Sequence, residues 1–110
     1  MVEGRLPKNP IEFVKRCISE GKVLWTYHVN MRMRNRHIPR HAIISSMASY
    51  EIIEAYPDDK YLPSYLVYAR HEKAVIHILF GVDVYNENVR IITAYHPSTE
   101  QWSGGLKRRK

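Results

Sequence analysis

His28, Arg32 and Arg36 stand four residues apart in the segment YHVNMRMRNRH, a spacing that stacks them on one face if the segment is helical. An imidazole beside two guanidinium groups suits one chemistry in particular, the metal-independent cleavage of a phosphodiester. That reaction needs a base for the attacking 2′-hydroxyl, an acid for the leaving 5′-oxygen and cations for the charge on the phosphorane. Histidine exchanges protons near neutrality. Arginine presents a planar fork that matches phosphate oxygens and keeps its charge. No acidic residue lies between Glu20 and Glu51 to quench the row. At about 100° per residue, Tyr27 and Met31 bracket the row on one side, Val29 and Met33 bracket it on the other, and Asn30, Arg34 and His37 lie opposite. The row is therefore expected to point toward the rest of the protein, as a site for an anionic substrate. The plainer alternative pairs both arginines with carboxylates and leaves His28 to cap or pack.

The second half of the chain offers further groups. His77 shares a strand face with Val75 and Leu79, while Ile76, Ile78 and Phe80 take the other face. Both faces are apolar, which predicts a central strand and a shielded imidazole. Tyr95 falls with Ile91 and Thr93, and His96 falls opposite. His77 or Tyr95 is the candidate second proton carrier, although a core histidine and a packed tyrosine are the commoner meanings of such residues. Candidate RNA contacts outside the row are Arg34, Arg40, Arg70 and the terminal Lys107, Arg108 and Arg109. The terminal cations suit a salt-sensitive grip on phosphates and equally a solubilising terminus. His37 and His41 are four apart, but Pro39 separates them and no third ligand is evident, so no metal is expected. Glu51, Glu54, Asp58 and Asp59 suit a solvated edge or salt bridges to the row better than paired acid–base work.

The elements that must position these groups follow from pattern. Asn9-Pro10 reads as an N-cap and first-turn proline, and Ile11, Val14 and Ile18, with Phe13 and Cys17, form an amphipathic helix ending at Gly21. A short extended piece over 22–25 precedes the row helix, 27–36, which Pro39 breaks. A further helix from about Pro39 carries Ile43, Ile44, Met47 and Ala48. Residues 51–56, 65–71, 74–85 and 89–96 are rich in β-branched and aromatic residues. Their connections are too short for parallel crossovers, so adjacent strands are expected to be antiparallel. The fold class is α+β, with N-terminal helices on one face of an antiparallel sheet of about four strands.

Composition sets the bounds. The 110 residues suit one domain, 1–110, with residues 1–9 as an N-terminal arm and 103–110 as a flexible basic tail. Apolar residues make 45% of the chain and charged residues 25%, which fits a globular protein. No apolar run nears the roughly 18 residues that cross a membrane, and MVEGRLPKNP lacks a signal-peptide core. A cytoplasmic location without membrane partners is expected. Cys17, the only cysteine, excludes an intrachain disulfide and a cysteine-based zinc site, and it reads as inert packing. A net charge of +6 favours a polyanion or an acidic protein as partner.

An ordered set of short motifs adds a resemblance. His28-x-x-x-Arg32-Met33-x-x-Arg36-x-Ile38 is followed by Ile53-x-x-Tyr56-Pro57-Asp58, Pro63-Ser64 and Ile76-His77-Ile78. Ile91-Ile92-Thr93-Ala94-Tyr95, Trp102 and Arg108 complete the set. From about Thr26 to Arg108 the chain resembles domain-of-unknown-function family 4258. The resemblance implies a fold of the kind shared by RelE-like toxins and barnase-type nucleases. It also implies a ribonuclease toxin held by a small antitoxin, with His28, Arg32, Arg36, His77, Tyr95 and Arg108 at matching positions. Two departures stand at its centre: His37 where a small residue is common, and Pro39 where Ser or Thr often caps the next helix. The expected activity is a metal-independent endoribonuclease that cuts mRNA, free or on the ribosome, without a cofactor. The alternatives are a non-catalytic nucleic-acid-binding module and a protein-interaction domain.

Overall fold

The computed structural model describes residues 5–110, so the first four residues of the expected N-terminal arm lie outside the described residues. Three helices, α1 (Pro10–Ser19), α2 (Tyr27–Asn35) and α3 (Arg40–Ser45), precede most of the sheet, and a 3-10 turn, Met47–Ser49, follows α3. The strands are β1 (Val23–Leu24), β2 (Glu51–Tyr56), β3 (Ser64–His71), β4 (Ala74–Asp83), β5 (Asn88–Tyr95), β6 (Trp102–Ser103) and β7 (Arg108–Arg109). The main sheet runs β1-β5-β4-β3-β2, and β6-β7 forms a separate hairpin. The architecture is α+β.

Three expectations need correction. The main sheet has five strands rather than four, because the piece after α1 pairs with β5. That pair is parallel, with Val23 opposite Val89 and Leu24 opposite Arg90, so the sheet is mixed. The meander β2-β3-β4-β5 is antiparallel throughout. The basic tail is not a loose end: Trp102 pairs with Arg109 and Ser103 with Arg108.

Helix ends follow from local chemistry. The Asn9 side chain accepts from the Glu12 N–H at 3.2 Å, and the Thr26 hydroxyl accepts from the Val29 N–H at 3.2 Å. At the other end α1 and α2 close in the same way. The Lys22 N–H reaches back to Cys17 C=O at 2.8 Å, and the Ile38 N–H reaches back to Met33 C=O at 2.8 Å. Such a closure puts the intervening residue in the left-handed region, where glycine is the usual choice. Gly21 fills that place after α1 (φ 72°), but His37 fills it after α2 (φ 57°).

The core lies between the helices and one face of the sheet. Val14, Cys17 and Ile18 of α1, Val29 and Met33 of α2, and Ala42 and Ile43 of α3 pack with Val67, Ile76, Ile78, Phe80, Val82 and Ile91. Tyr50 locks this layer: its hydroxyl donates to Ile43 C=O at 2.6 Å and its ring meets Phe80 at 5.6 Å. The other face of the sheet carries His77, with Tyr68 and Tyr95 opposite it on the flanking strands. Trp102 of the terminal hairpin sits edge-on to the His77 ring, with centroids 4.4 Å apart.

Candidate functional site

The groups singled out in the sequence separate onto two faces. On α2, Val29 and Met33 are the buried residues, while His28, Arg32, Arg34 and Arg36 are exposed. The row therefore does not point inward as expected. A helix of this length buries a narrow stripe, and the apolar pair beside the row outcompetes it for the core. Tyr27, the apolar bracket on the far side, is 72% exposed. Arg36 alone reaches the sheet, donating to Ala94 C=O at 2.8 Å and approaching the Thr93 hydroxyl at 3.3 Å. It thereby covers part of the β5 edge that β1 is too short to pair.

Arg34 and Arg40 do come together. With His37 and Asn30 they line a shallow pocket of about 440 Å³ beside α2. Arg40 lies 4.8 Å over the Trp25 ring and donates to the Asn30 side chain at 3.1 Å. Among the described residues no cation of α2 meets a carboxylate: the ion pairs are Arg16–Glu87, Lys22–Glu20, Lys107–Glu51 and Arg109–Glu54. The arrangement in which the row arginines pair with acids is thus not the one found.

The carboxylates of β2 are taken by the hairpin. Lys107 Nζ lies 3.0 Å from Glu51 and 4.7 Å over the Tyr68 ring. Arg109 donates to both oxygens of Glu54 at 2.9 and 3.1 Å and stacks 4.5 Å over Trp102. The Tyr56 hydroxyl donates to the same carboxylate. The Arg109 hydrogen bonds hold the Glu54 carboxyl below its ordinary range. Two of the three terminal cations proposed for RNA are therefore already committed, while Arg108 and Arg70 remain exposed without a carboxylate partner among the described residues.

His77 is fully enclosed. A carbonyl can only accept, so Nε2–H donates to Leu106 C=O at 2.7 Å. Nδ1 is then left to accept the Tyr95 hydroxyl at 3.2 Å. Burial, the largest cause, pushes the imidazole below its usual pKa, which keeps this neutral arrangement. Burial likewise pushes the Tyr95 phenol up. Both ring nitrogens of His77 are occupied, Nε2 by the turn of the hairpin and Nδ1 by Tyr95 of β5. His77 and Tyr95 meet each other but do not join His28, which lies on α2 across the sheet from them.

One grouping was not foreseen. His37, His41, His71 and His96 line a single groove of about 530 Å³, with Glu72 and Lys73. Four of the six histidines of the chain converge there. The available signal was their placement at element ends: after α2, in α3, at the end of β3 and just past β5. Among the described residues no three His, Cys, Asp or Glu are arranged to hold a metal ion. No helix of the described residues is long and apolar enough to cross a membrane. Cys17 is buried, and desolvation raises its thiol pKa, which opposes reactivity.

Comparison with curated proteins and with solved structures gives no match. A family described as "Domain of unknown function (DUF4258)" matches residues 25–96, from the start of the α2 region to just past β5. That stretch is most of the chain and holds α2, the β2–β5 meander and the whole histidine groove, so the chain belongs to the DUF4258 family.

Proposed function

We propose that this chain is a toxin of a toxin–antitoxin pair that binds RNA along α2 and cleaves it without a metal ion or cofactor. Its helix layer on an antiparallel meander is compatible with the RelE-like architecture that this reading entails. The carrying observation is the set of α2 cations with no acid opposite them among the described residues. Folding leaves Arg32 and Arg34 exposed and without a carboxylate partner among the described residues, while Glu51 and Glu54 are neutralised by the hairpin. Clustered unpaired arginines raise the local positive potential, which suits a phosphate backbone. Tyr27, exposed beside His28 with the two rings 5.8 Å apart, offers a face on which a base can stack.

In this reading Arg32, Arg34 and Arg36 hold and neutralise phosphates, and His28 stands beside them on the same exposed face. The partner is RNA, mRNA on the ribosome included, and a small acidic antitoxin would silence the protein by covering the same cations. The second reading, binding without cleavage, draws on the separation of His28 from His77 and Tyr95. Mapping RNA 5′ ends after brief induction in a bacterial host distinguishes the two. New, sequence-biased ends for the wild type, lost in Arg32→Ala/Arg34→Ala, support cleavage. An unchanged transcriptome alongside salt-dependent RNA binding would leave the binding module. Toxicity without either would favour the protein-interaction reading.

A further inference from the structure

The histidine groove has an order that bare proximity does not require. The Ser45 hydroxyl donates its one proton to His41 C=O at 2.6 Å, so at 3.2 Å from His71 Nδ1 the same oxygen must accept. His71 therefore carries its proton on Nδ1. His96 Nδ1 lies 3.2 Å from Val75 C=O, and a carbonyl can only accept. His96 also carries its proton on Nδ1. In both rings the orienting bond falls on Nδ1, and among the described residues no hydrogen bond takes Nε2, the atom left to exchange protons. A base whose other nitrogen is held by a third group is the arrangement that proton-transfer catalysis uses.

The fold sets these two rings astride β4. His71 ends β3 opposite Ala74, and His96 follows β5 and reaches back to the carbonyl of Val75. Two strand spacings of about 4.8 Å and an offset of two residues, about 7 Å along the strand, separate their backbones, and both rings line the one groove. The groups facing this space are His37 after α2, His41 on α3, and Glu72 and Lys73 in the β3–β4 turn. Two of them, His37 and Glu72, sit at φ 57° and 56°, the left-handed region that is costly for a residue other than glycine. His28 stands apart, since a rise of 1.5 Å per residue puts it about 12 Å along α2 from Arg36, whereas His37 opens the groove.

We infer that His71 and His96 are the proton-transfer pair of a site for single-stranded RNA, an assignment that rests on the cleavage reading above. One neutral imidazole takes the 2′-hydroxyl proton on its Nε2 as the 2′-oxygen forms a bond to phosphorus. The P–O5′ bond breaks, and the other ring, as imidazolium, gives its Nε2 proton to the departing oxygen. The products are a 2′,3′-cyclic phosphate and a 5′-hydroxyl, and no further reactant is consumed. Lys73 supplies positive charge at the rim.

The test is the pH–rate profile for cleavage of a short single-stranded RNA by the wild type, His71→Asn and His96→Asn. Asparagine keeps a donor near the Nδ1 position and removes Nε2. Binding of the all-2′-deoxy strand of the same sequence reports fold and affinity separately. The expected result is a bell-shaped wild-type profile. His71→Asn and His96→Asn should each lose on the order of a hundredfold or more in rate and one limb of the bell, with binding retained. Either variant cutting at the wild-type rate, or losing rate with both limbs intact, overturns the assignment while cleavage by the chain stands. A wild type that binds the strand and cuts no RNA overturns the cleavage reading and this assignment with it.

Discussion

The α2 segment and the terminal hairpin carry the same formal equipment, Arg32, Arg34 and Arg36 on one and Lys107, Arg108 and Arg109 on the other. Their fates differ. Lys107 and Arg109 each meet a carboxylate of β2 and lie over an aromatic ring. Of Arg32, Arg34 and Arg36, only Arg36 has a side-chain partner among the described residues, and that partner is the edge of β5. Basic charge is therefore a poor guide to function until its neutralisation is known. The hairpin cations hold a lid on the second face of the sheet, and the α2 cations are left for something outside the chain.

Changes that dissolve this contrast should be graded. Trp102→Ala removes the buried ring that seats the hairpin on His77 and should cost about 3–5 kcal/mol of stability, as other buried aromatic truncations do. Chemical denaturation would show it, and RNA affinity below the melting range should be unchanged. Next comes Arg32→Ala/Arg34→Ala/Arg36→Ala, measured by RNA binding at fixed salt. A charge-assisted contact is worth about 1.5–3 kcal/mol, so the triple variant should bind on the order of a hundredfold or more weakly, and its stability should fall by no more than the Arg36 hydrogen bond to Ala94 C=O contributes.

Acid should loosen the hairpin before it disturbs α2. In the unfolded chain His77 takes up a proton near 6.5, and burial in the fold opposes that uptake. Between the folded value and 6.5 the unfolded state binds more protons, so stability is complete above that window and falls as pH drops through it. Glu54 adds a second loss of the same sign at lower pH, below its ordinary 4.5, because Arg109 favours the ionised form. Thermal melts from pH 8 to 2 should show both, with the first step absent in His77→Gln. The smallest effect belongs to Glu54→Gln. The pair is partly exposed, so the loss of stability should be only about 0.2–1 kcal/mol, and the freed Arg109 should strengthen RNA binding slightly.

How far the sequence carried the reading also divides along these lines. The α1 and α2 boundaries were legible from Asn9-Pro10 and from residues 27–36, and the four long strands from their β-branched runs. His77 on a doubly apolar strand announced its own shielding. The direction of the row was not legible, because His28, Arg32 and Arg36 flank Val29 and Met33 so closely that a small rotation decides which set is buried. The hairpin was misread for a different reason. Ser103-Gly104-Gly105 suits a loose terminus and a tight turn alike, and only Trp102, buried against His77, decides between them. The two-residue β1 carries too little pattern to announce a parallel pairing with β5 far along the chain. The histidine groove escaped because its members are scattered between positions 37 and 96 and only the folded sheet gathers them.

The most direct measurement is the salt dependence of single-stranded RNA binding for the wild type, the α2 triple arginine-to-alanine variant and Lys107→Ala/Arg109→Ala. Each phosphate contact on a single strand contributes about 0.7 to the slope of log affinity against log salt. The α2 variant should therefore lose about 2 from the slope, and the hairpin variant less than the value of one contact. An α2 variant with the wild-type slope, or a hairpin variant that loses most of it, would contradict the claim that the unpaired face of α2 meets RNA.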